Sequence, residues 1–195
     1  MLCTIGLIVG FAARMMRIGF WRRTGLVWMY AAIGLQLLTF TPLGIDNYGN
    51  RGWLSLGFTT LQPAECMKMV LCFWMPSALV DSAKRYPREG IRAYARPMLV
   101  YAVGLALVVA GKDLGTAMIL VIIGLVALFV SGLPTKWMIG IVGAMVTLVL
   151  LLAVTSPNRM RRIFAAYGDC SASDAQTVCY QSVHAKYAIA SGGFL

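Results

Sequence analysis

Charge is what this sequence has least of: only 12% of its 195 residues are Asp, Glu, Lys or Arg, while 59% are hydrophobic. So few polar side chains cannot cover the surface of a soluble domain of this size, which excludes an ordinary soluble fold. Acids are scarcer still, seven against seventeen bases, and the formal charge of +10 invites a nucleic-acid reading. That reading fails because the bases stand in short clusters between apolar runs, as positive-inside topology demands, and no nucleic-acid motif is present. Histidine occurs once, at His184, and the five cysteines are dispersed, so no Cys/His metal site is expected. Residues 1–13 are apolar but have no basic residue before them and no convincing small-residue cleavage site. They read as a partial membrane helix and not as a signal peptide. The class that remains is an integral membrane protein.

What is present is a succession of apolar runs. Residues 26–45, 63–80, 97–110, 114–133 and 138–154 are the complete spans, which with 1–13 predicts an all-α polytopic transmembrane helix bundle of five spans plus a partial first one. The whole of 1–195 is expected to be a single integral membrane domain, shortened at both ends. Basic segments 14–23, 81–96 and 134–137 are placed in the cytoplasm, and 46–62, 111–113 and 155–195 outside, the last being the start of a large extracellular loop. Ten of the seventeen bases then lie inside, and five of the seven acids (Asp46, Glu65, Asp113, Asp169, Asp174) lie at or near the outer side, where any chemistry is therefore expected. Segment 46–61, rich in Gly, Asn and Thr, reads as irregular, Pro63 as a helix start, and Pro76 as a kink or a lower end.

Four polar groupings stand out against this apolar background. Gly111-Lys112-Asp113-Leu114-Gly115-Thr116 is the turn of a helical hairpin, with Gly111 closing one helix and Asp113 capping the next across Thr116, or it is a site. Glu65 and Lys68, three apart in a first helical turn, share a face as a capping acid with an ion pair, or else line an outer cavity. Arg159, Arg161 and Arg162 serve as snorkelling interface anchors, or grip a pyrophosphate through guanidinium forks. Cys170 and Cys179 flank a short polar segment in the outer loop, where an oxidising medium lets them pair. Cys3, Cys66 and Cys72 read as small core residues.

Set beside known families, these residues fall into a pattern. Trp53-Leu54-Ser55-Leu56-Gly57 followed by Gln62-Pro63-Ala64-Glu65-Cys66-Met67-Lys68 resembles, at the same spacing, two signatures of the SEDS family, the shape, elongation, division and sporulation proteins. Asp113-Leu114-Gly115-Thr116 is similar to its P-D-L-G-T motif, and 156–163 with Tyr180-Gln181 and Ser191-Gly192-Gly193 is similar to its long outer loop. The sequence departs from the family at Lys112, where Pro is frequent, at Gly52, where Arg is usual, and at His184, where Gln is common. Arg159-Met160 and the ending at 188–193 lean toward the division branch over the elongation branch.

The resemblance implies a bacterial ten-helix plasma-membrane glycosyltransferase of cell-wall biogenesis. It polymerises lipid II into peptidoglycan strands beside a class B penicillin-binding protein and other division-complex membrane proteins, among membrane lipids and without nucleic acid. The family's essential aspartate lies in an H-T-D-F-I-F motif downstream of the Gly-Gly segment, beyond Leu195, so 1–195 alone is expected to be inactive. Glu65, Lys68, Asp113 and Thr116 are implied to support the outward cavity, and the loop arginines to hold the leaving pyrophosphate. The cofactor stays open, a divalent cation being one option. Rival functions are a lipid II flippase, which predicts charge along a path through the membrane, and a non-catalytic scaffold.

Overall fold

The computed structural model describes residues 2–47, 50–57, 59–154 and 179–192. Among these residues seven α-helices follow one another: α1 (Leu2–Met15), α2 (Ile18–Leu38), α3 (Pro63–Glu89), α4 (Ala95–Ala110), α5 (Leu114–Val130), α6 (Thr135–Val154) and α7 (Tyr180–Ser191). Between α2 and α3 lie three short strands, β1 (Gly44–Asn47), β2 (Asn50–Ser55) and β3 (Thr60–Leu61), and a 3₁₀ turn (Gly90–Tyr94) joins α3 to α4. The chain forms two compact units, 1–142 and 143–195.

In the first unit α3 is the central helix, packed against α2, α4 and α5. Small residues allow the close approaches that helix association in lipid requires. Gly25 of α2 faces Trp74 of α3, where an added Cβ would stand 3.2 Å from the Trp74 Cβ. At Gly104 of α4 an added Cβ would meet Met67 Sδ at 3.0 Å and Met29 Cε at 3.1 Å, so α2, α3 and α4 converge on one glycine. These pairings run in opposite chain order, which makes α2 and α3 antiparallel. Tyr101 of α4 lies across Gly124 of α5 and donates its hydroxyl to the Leu120 carbonyl at 3.1 Å. The buried stripe on α5 includes Ala117, Leu120, Val121 and Leu128, whereas Ile122, Val126, Phe129 and Val130 project outward from it. An outer surface of that composition suits hydrocarbon and not water.

Four sequence expectations are corrected here. Segment 46–61 is not irregular: β1, β2 and β3 form an antiparallel sheet in that order, with Ile45 opposite Trp53 and Leu54 opposite Leu61. The alternation of Gly52, Leu54 and their neighbours is hidden by Gly and Asn, yet Leu54 is buried and β2 packs on α3. Pro76 does not end its helix, which continues to Glu89. Ser77 Oγ donates to the Phe73 carbonyl at 2.9 Å, an i−4 side-chain bond in the turn that carries Pro76. Most of the expected loop 81–96 is therefore helix, supported by pairs at helical spacing, Lys84 with Asp81 and Arg85 with Glu89. The first complete span also starts and stops earlier than 26–45, because α2 includes Arg22 and Arg23 and gives way at Thr39, before Pro42.

The described parts of the second unit are the end of α6, uncharged after Lys136, and α7. In α7 the His184 ring stacks on Tyr180 at 3.9 Å between centroids, and its Nδ1 lies 3.0 Å from the Tyr180 carbonyl.

Candidate functional site

The first turn of α5 is built around Asp113. Its Oδ1 accepts from the Thr116 backbone N–H at 3.1 Å, and its Oδ2 accepts from the Thr116 hydroxyl at 2.8 Å. This is N-cap chemistry, a short carboxylate satisfying a helix end that has no intrahelical acceptor. The same Oδ2 also accepts from Gln62 Nε2 at 2.9 Å, across fifty-one positions of sequence. Gln62 is the residue before α3, and its carbonyl accepts from the Glu65 N–H at 3.1 Å. One carboxylate thus ties the start of α5 to the start of α3.

The sheet completes the clamp. Arg51 N–H on β2 donates to the Gly111 carbonyl at 2.9 Å, fastening β2 to the α4–α5 turn. A Cβ at Gly111 would come within 2.9 Å of the Arg51 carbonyl, and one at Gly52 would stand 3.0 Å from Asn50 Oδ1 and 3.6 Å from Asp113 Oδ2. Gly111 lets the two backbones approach, and Gly52 leaves room for the Asn50 and Asp113 side chains. Asn50 Oδ1 is buried beside them with no hydrogen-bond partner among the described residues. Gly52 and Asn50 were not among the candidates read from the sequence. The available signal was a glycine inside a strand, which marks a place where other groups approach the backbone closely.

Lys112 takes a left-handed conformation, φ 63°, between the two helices. Proline cannot adopt it, because its ring holds φ near −65°. The departure from the family's P-D-L-G-T motif is therefore a real difference in how this turn is made.

Asp113 is only 9% exposed and Thr116 is buried, so both face inward with their hydrogen-bonding capacity in use. Glu65 and Lys68 form a separate pair: Lys68 Nζ meets Glu65 Oε1 at 2.6 Å, with the lysine side chain 19% exposed and the glutamate 55%. Glu65 is thus an open carboxylate rather than a buried acid, and no hydrogen bond joins it to Asp113. Pro63 is buried at the head of α3, Trp53 is half-buried on β2, and Gly115 is exposed behind the cap. The residues Trp53, Gln62, Glu65, Lys68, Asp113 and Thr116 therefore gather at the sheet-bearing end of α3 and α5.

Tyr180 and Gln181 open α7 in the other unit. Cys179, immediately before them, is buried and disulfide-bonded, while Cys66 and Cys72 are free thiols. Arg159, Arg161, Arg162 and Cys170 lie outside the described residues. Among the described residues no cluster of His, Cys, Asp or Glu could hold a metal ion.

Comparison with known proteins gives this geometry a context. The whole chain, residues 1–195, matches the FtsW/RodA/SpoVE family model, described as a cell cycle protein. A probable peptidoglycan glycosyltransferase FtsW from Mycobacterium tuberculosis is 32% identical over 191 residues, covering 97% of this chain and 36% of the relative. The FtsW of Thioalkalivibrio sulfidiphilus is 31% identical over 162 residues, covering 83% of the chain and 40% of the relative. The chain therefore spans well under half the length of these curated relatives.

In structure it is similar to the rod shape determining protein RodA of Thermus thermophilus. The TM-score is 0.63 at 26% identity, over 78% of this chain and 47% of RodA. It is also similar to a chain in a structure described as the structural coordination of polymerization and crosslinking by a peptidoglycan synthase complex. There the TM-score is 0.62 at 25% identity, over 84% and 48% of the two chains. The sequence relatives carry the division name, as the motif pattern leads one to expect. With residues 1–195 matched by the family model and 78% of the chain similar in structure to RodA, this chain is a polytopic membrane helix bundle and belongs to the FtsW/RodA/SpoVE family.

Proposed function

We propose that this chain is the central part of a division-type peptidoglycan glycosyltransferase that polymerises lipid II, and that its sheet-bearing end faces outward. The observation that supports this most directly is the Asp113 clamp. It joins the Gln62-Pro63-Ala64-Glu65 and Asp113-Leu114-Gly115-Thr116 segments, and with them β2, into one rigid face.

In such a polymerisation a sugar hydroxyl attacks an anomeric carbon, its proton passes to a carboxylate base, and a lipid pyrophosphate departs. The step needs that base and positive charge on the leaving group. In this reading the buried Asp113, with Thr116 and Gln62, positions the face and does not touch substrate. The open Glu65 and its partner Lys68 are the groups able to meet a substrate or the base. Arg159, Arg161 and Arg162 hold the pyrophosphate, and the base comes from the H-T-D motif of the full-length protein. A divalent cation, if the reaction uses one, is held by residues other than the Asp113 cluster, whose oxygens already accept three hydrogen bonds.

A peptidoglycan crosslinking enzyme is the partner in this reading, which draws support from the likeness to a chain of a synthase complex that coordinates polymerization with crosslinking. Segments 14–23, 81–96 and 134–137 face the cytoplasm. The test is polymer synthesis from purified lipid II by full-length protein with the partner bound. Glu65→Gln is expected to lower synthesis at least tenfold while partner binding persists. Unchanged synthesis removes Glu65 from the site, and a preserved rate of lipid transfer across vesicles with no polymer made by the wild type would favour the flippase.

A further inference from the structure

At the end of the bundle away from the sheet, α2, α3 and α4 enclose a groove of about 230 Å³. We infer that this groove binds the phosphate headgroup of an anionic glycerophospholipid, with Arg22 and Arg96 as its cations. Each helix contributes the same gradient. On α2 it runs from Arg22 to Leu26, on α4 from Arg96 to Val100, and on α3 from Asp81 and Arg85 back to Trp74. Charge lies at one end of the groove and apolar surface lies one to two turns deeper, at about 1.5 Å per residue. That order matches an amphiphile, with a phosphate at the rim and the first methylenes against Trp74, Leu26 and Val100. A free phosphate would use only the rim.

The cations are not equivalent. Arg85 is committed within the protein: Nη2 donates to the Ala93 carbonyl at 3.3 Å, Nε to the Asp81 carbonyl at 3.4 Å, and Nη1 pairs with Glu89 at 3.5 Å. It braces the groove. Arg22 reaches Asp81 at 3.7 Å, longer than a hydrogen bond, and Asp81 also has Lys84 at 3.8 Å. An entering phosphate can therefore take Arg22 while Lys84 keeps Asp81 neutralised. The Arg96 side chain has no hydrogen bond or ion pair among the described residues, and its guanidinium is available as a fork for phosphate oxygens. Basic pockets between membrane helices favour anionic headgroups for this reason.

The test is native mass spectrometry of the delipidated chain in detergent, titrated with phosphatidylglycerol, with phosphatidylethanolamine of the same acyl chains, and with inorganic phosphate. The wild type is expected to prefer phosphatidylglycerol. Arg96→Gln, which removes no side-chain hydrogen bond or ion pair among the described residues, should weaken that binding about fivefold, the effect of one basic residue beside an anionic surface. Arg88→Gln loses the same charge from the last turn of α3, outside the groove, and should stay within about twofold of wild type. Equal weakening by both variants, or no preference for the anionic lipid, would overturn the site in favour of diffuse attraction. Inorganic phosphate displacing the lipid with the same Arg96 dependence would refute the lipid as its occupant. The helical circular dichroism of each variant, measured alongside, confirms that the comparison is between folded proteins.

Discussion

Replacing Asp113 by Ala tests the clamp most sharply, because one carboxylate serves three donors on two elements. The substitution removes the α5 cap, for which about 1 kcal/mol is typical. It also strands Gln62 Nε2 and the Thr116 hydroxyl, each of which gave a charge-assisted bond worth roughly 1.5–3 kcal/mol. Such neighbours are not additive, so the combined loss should be about 3–5 kcal/mol. Asp113→Asn keeps an Oδ1 for the Thr116 N–H, and Gln62 can turn its own oxygen toward the new amide, so its cost should be about 1 kcal/mol.

The assay is unfolding of the detergent-solubilised chain by sodium dodecyl sulfate, followed by far-ultraviolet circular dichroism, in a double-mutant cycle with Gln62→Ala. The two residues should couple by at least ~1 kcal/mol, since each single variant leaves the other's group unpaired. A loss for Asp113→Ala below ~1 kcal/mol, together with a coupling below ~0.5 kcal/mol, would refute the clamp.

Four further substitutions test the same region and the core. Lys112→Gly should stabilise the chain by about 1 kcal/mol by releasing the left-handed penalty. Lys112→Pro should cost ~3 kcal/mol or more, because it cannot reach φ 63° and loses the N–H that donates to Val109 at 2.9 Å. Equal stability of the two variants in the same unfolding assay would contradict the turn geometry. Gly124→Ala should destabilise by about 1–3 kcal/mol, because its Cβ would lie 2.6 Å from the Tyr101 hydroxyl and force that ring away from the Leu120 carbonyl. Tyr101→Phe should cost only ~1 kcal/mol and should soften the effect of Gly124→Ala when the two are combined.

Much of this protein was legible before any fold was known. Low charge and long apolar runs identified a membrane bundle, since hydrocarbon-exposed surfaces admit little else. The cap at Asp113 and Thr116 could be read from three residues, because an N-cap is a local event whose partners lie within one turn. The Glu65–Lys68 pair was equally local, and the structure forms it. The sheet was not legible, because strands of two to six residues rich in Gly and Asn leave too short a pattern for alternation to show. Nor was the passage of α3 through Pro76, because whether a proline ends a membrane helix depends on the helices packed around it.

What the sequence determined by itself, then, was everything carried by composition and by contacts a turn apart: the membrane class, the order of the spans, the cap and the motifs. Which residues stand together was decided only in three dimensions. Gln62 reaches Asp113 because α3 and α5 pack side by side and begin at the same end, while Glu65, one turn on, stays open and pairs with Lys68. The basic groove arises because antiparallel α2 and α3, with α4, bring Arg22, Asp81 and Arg96 to one level. No spacing along the chain encodes such meetings. They depend on where glycines such as Gly25, Gly104 and Gly124 let helices approach, and that is a property of the packed bundle.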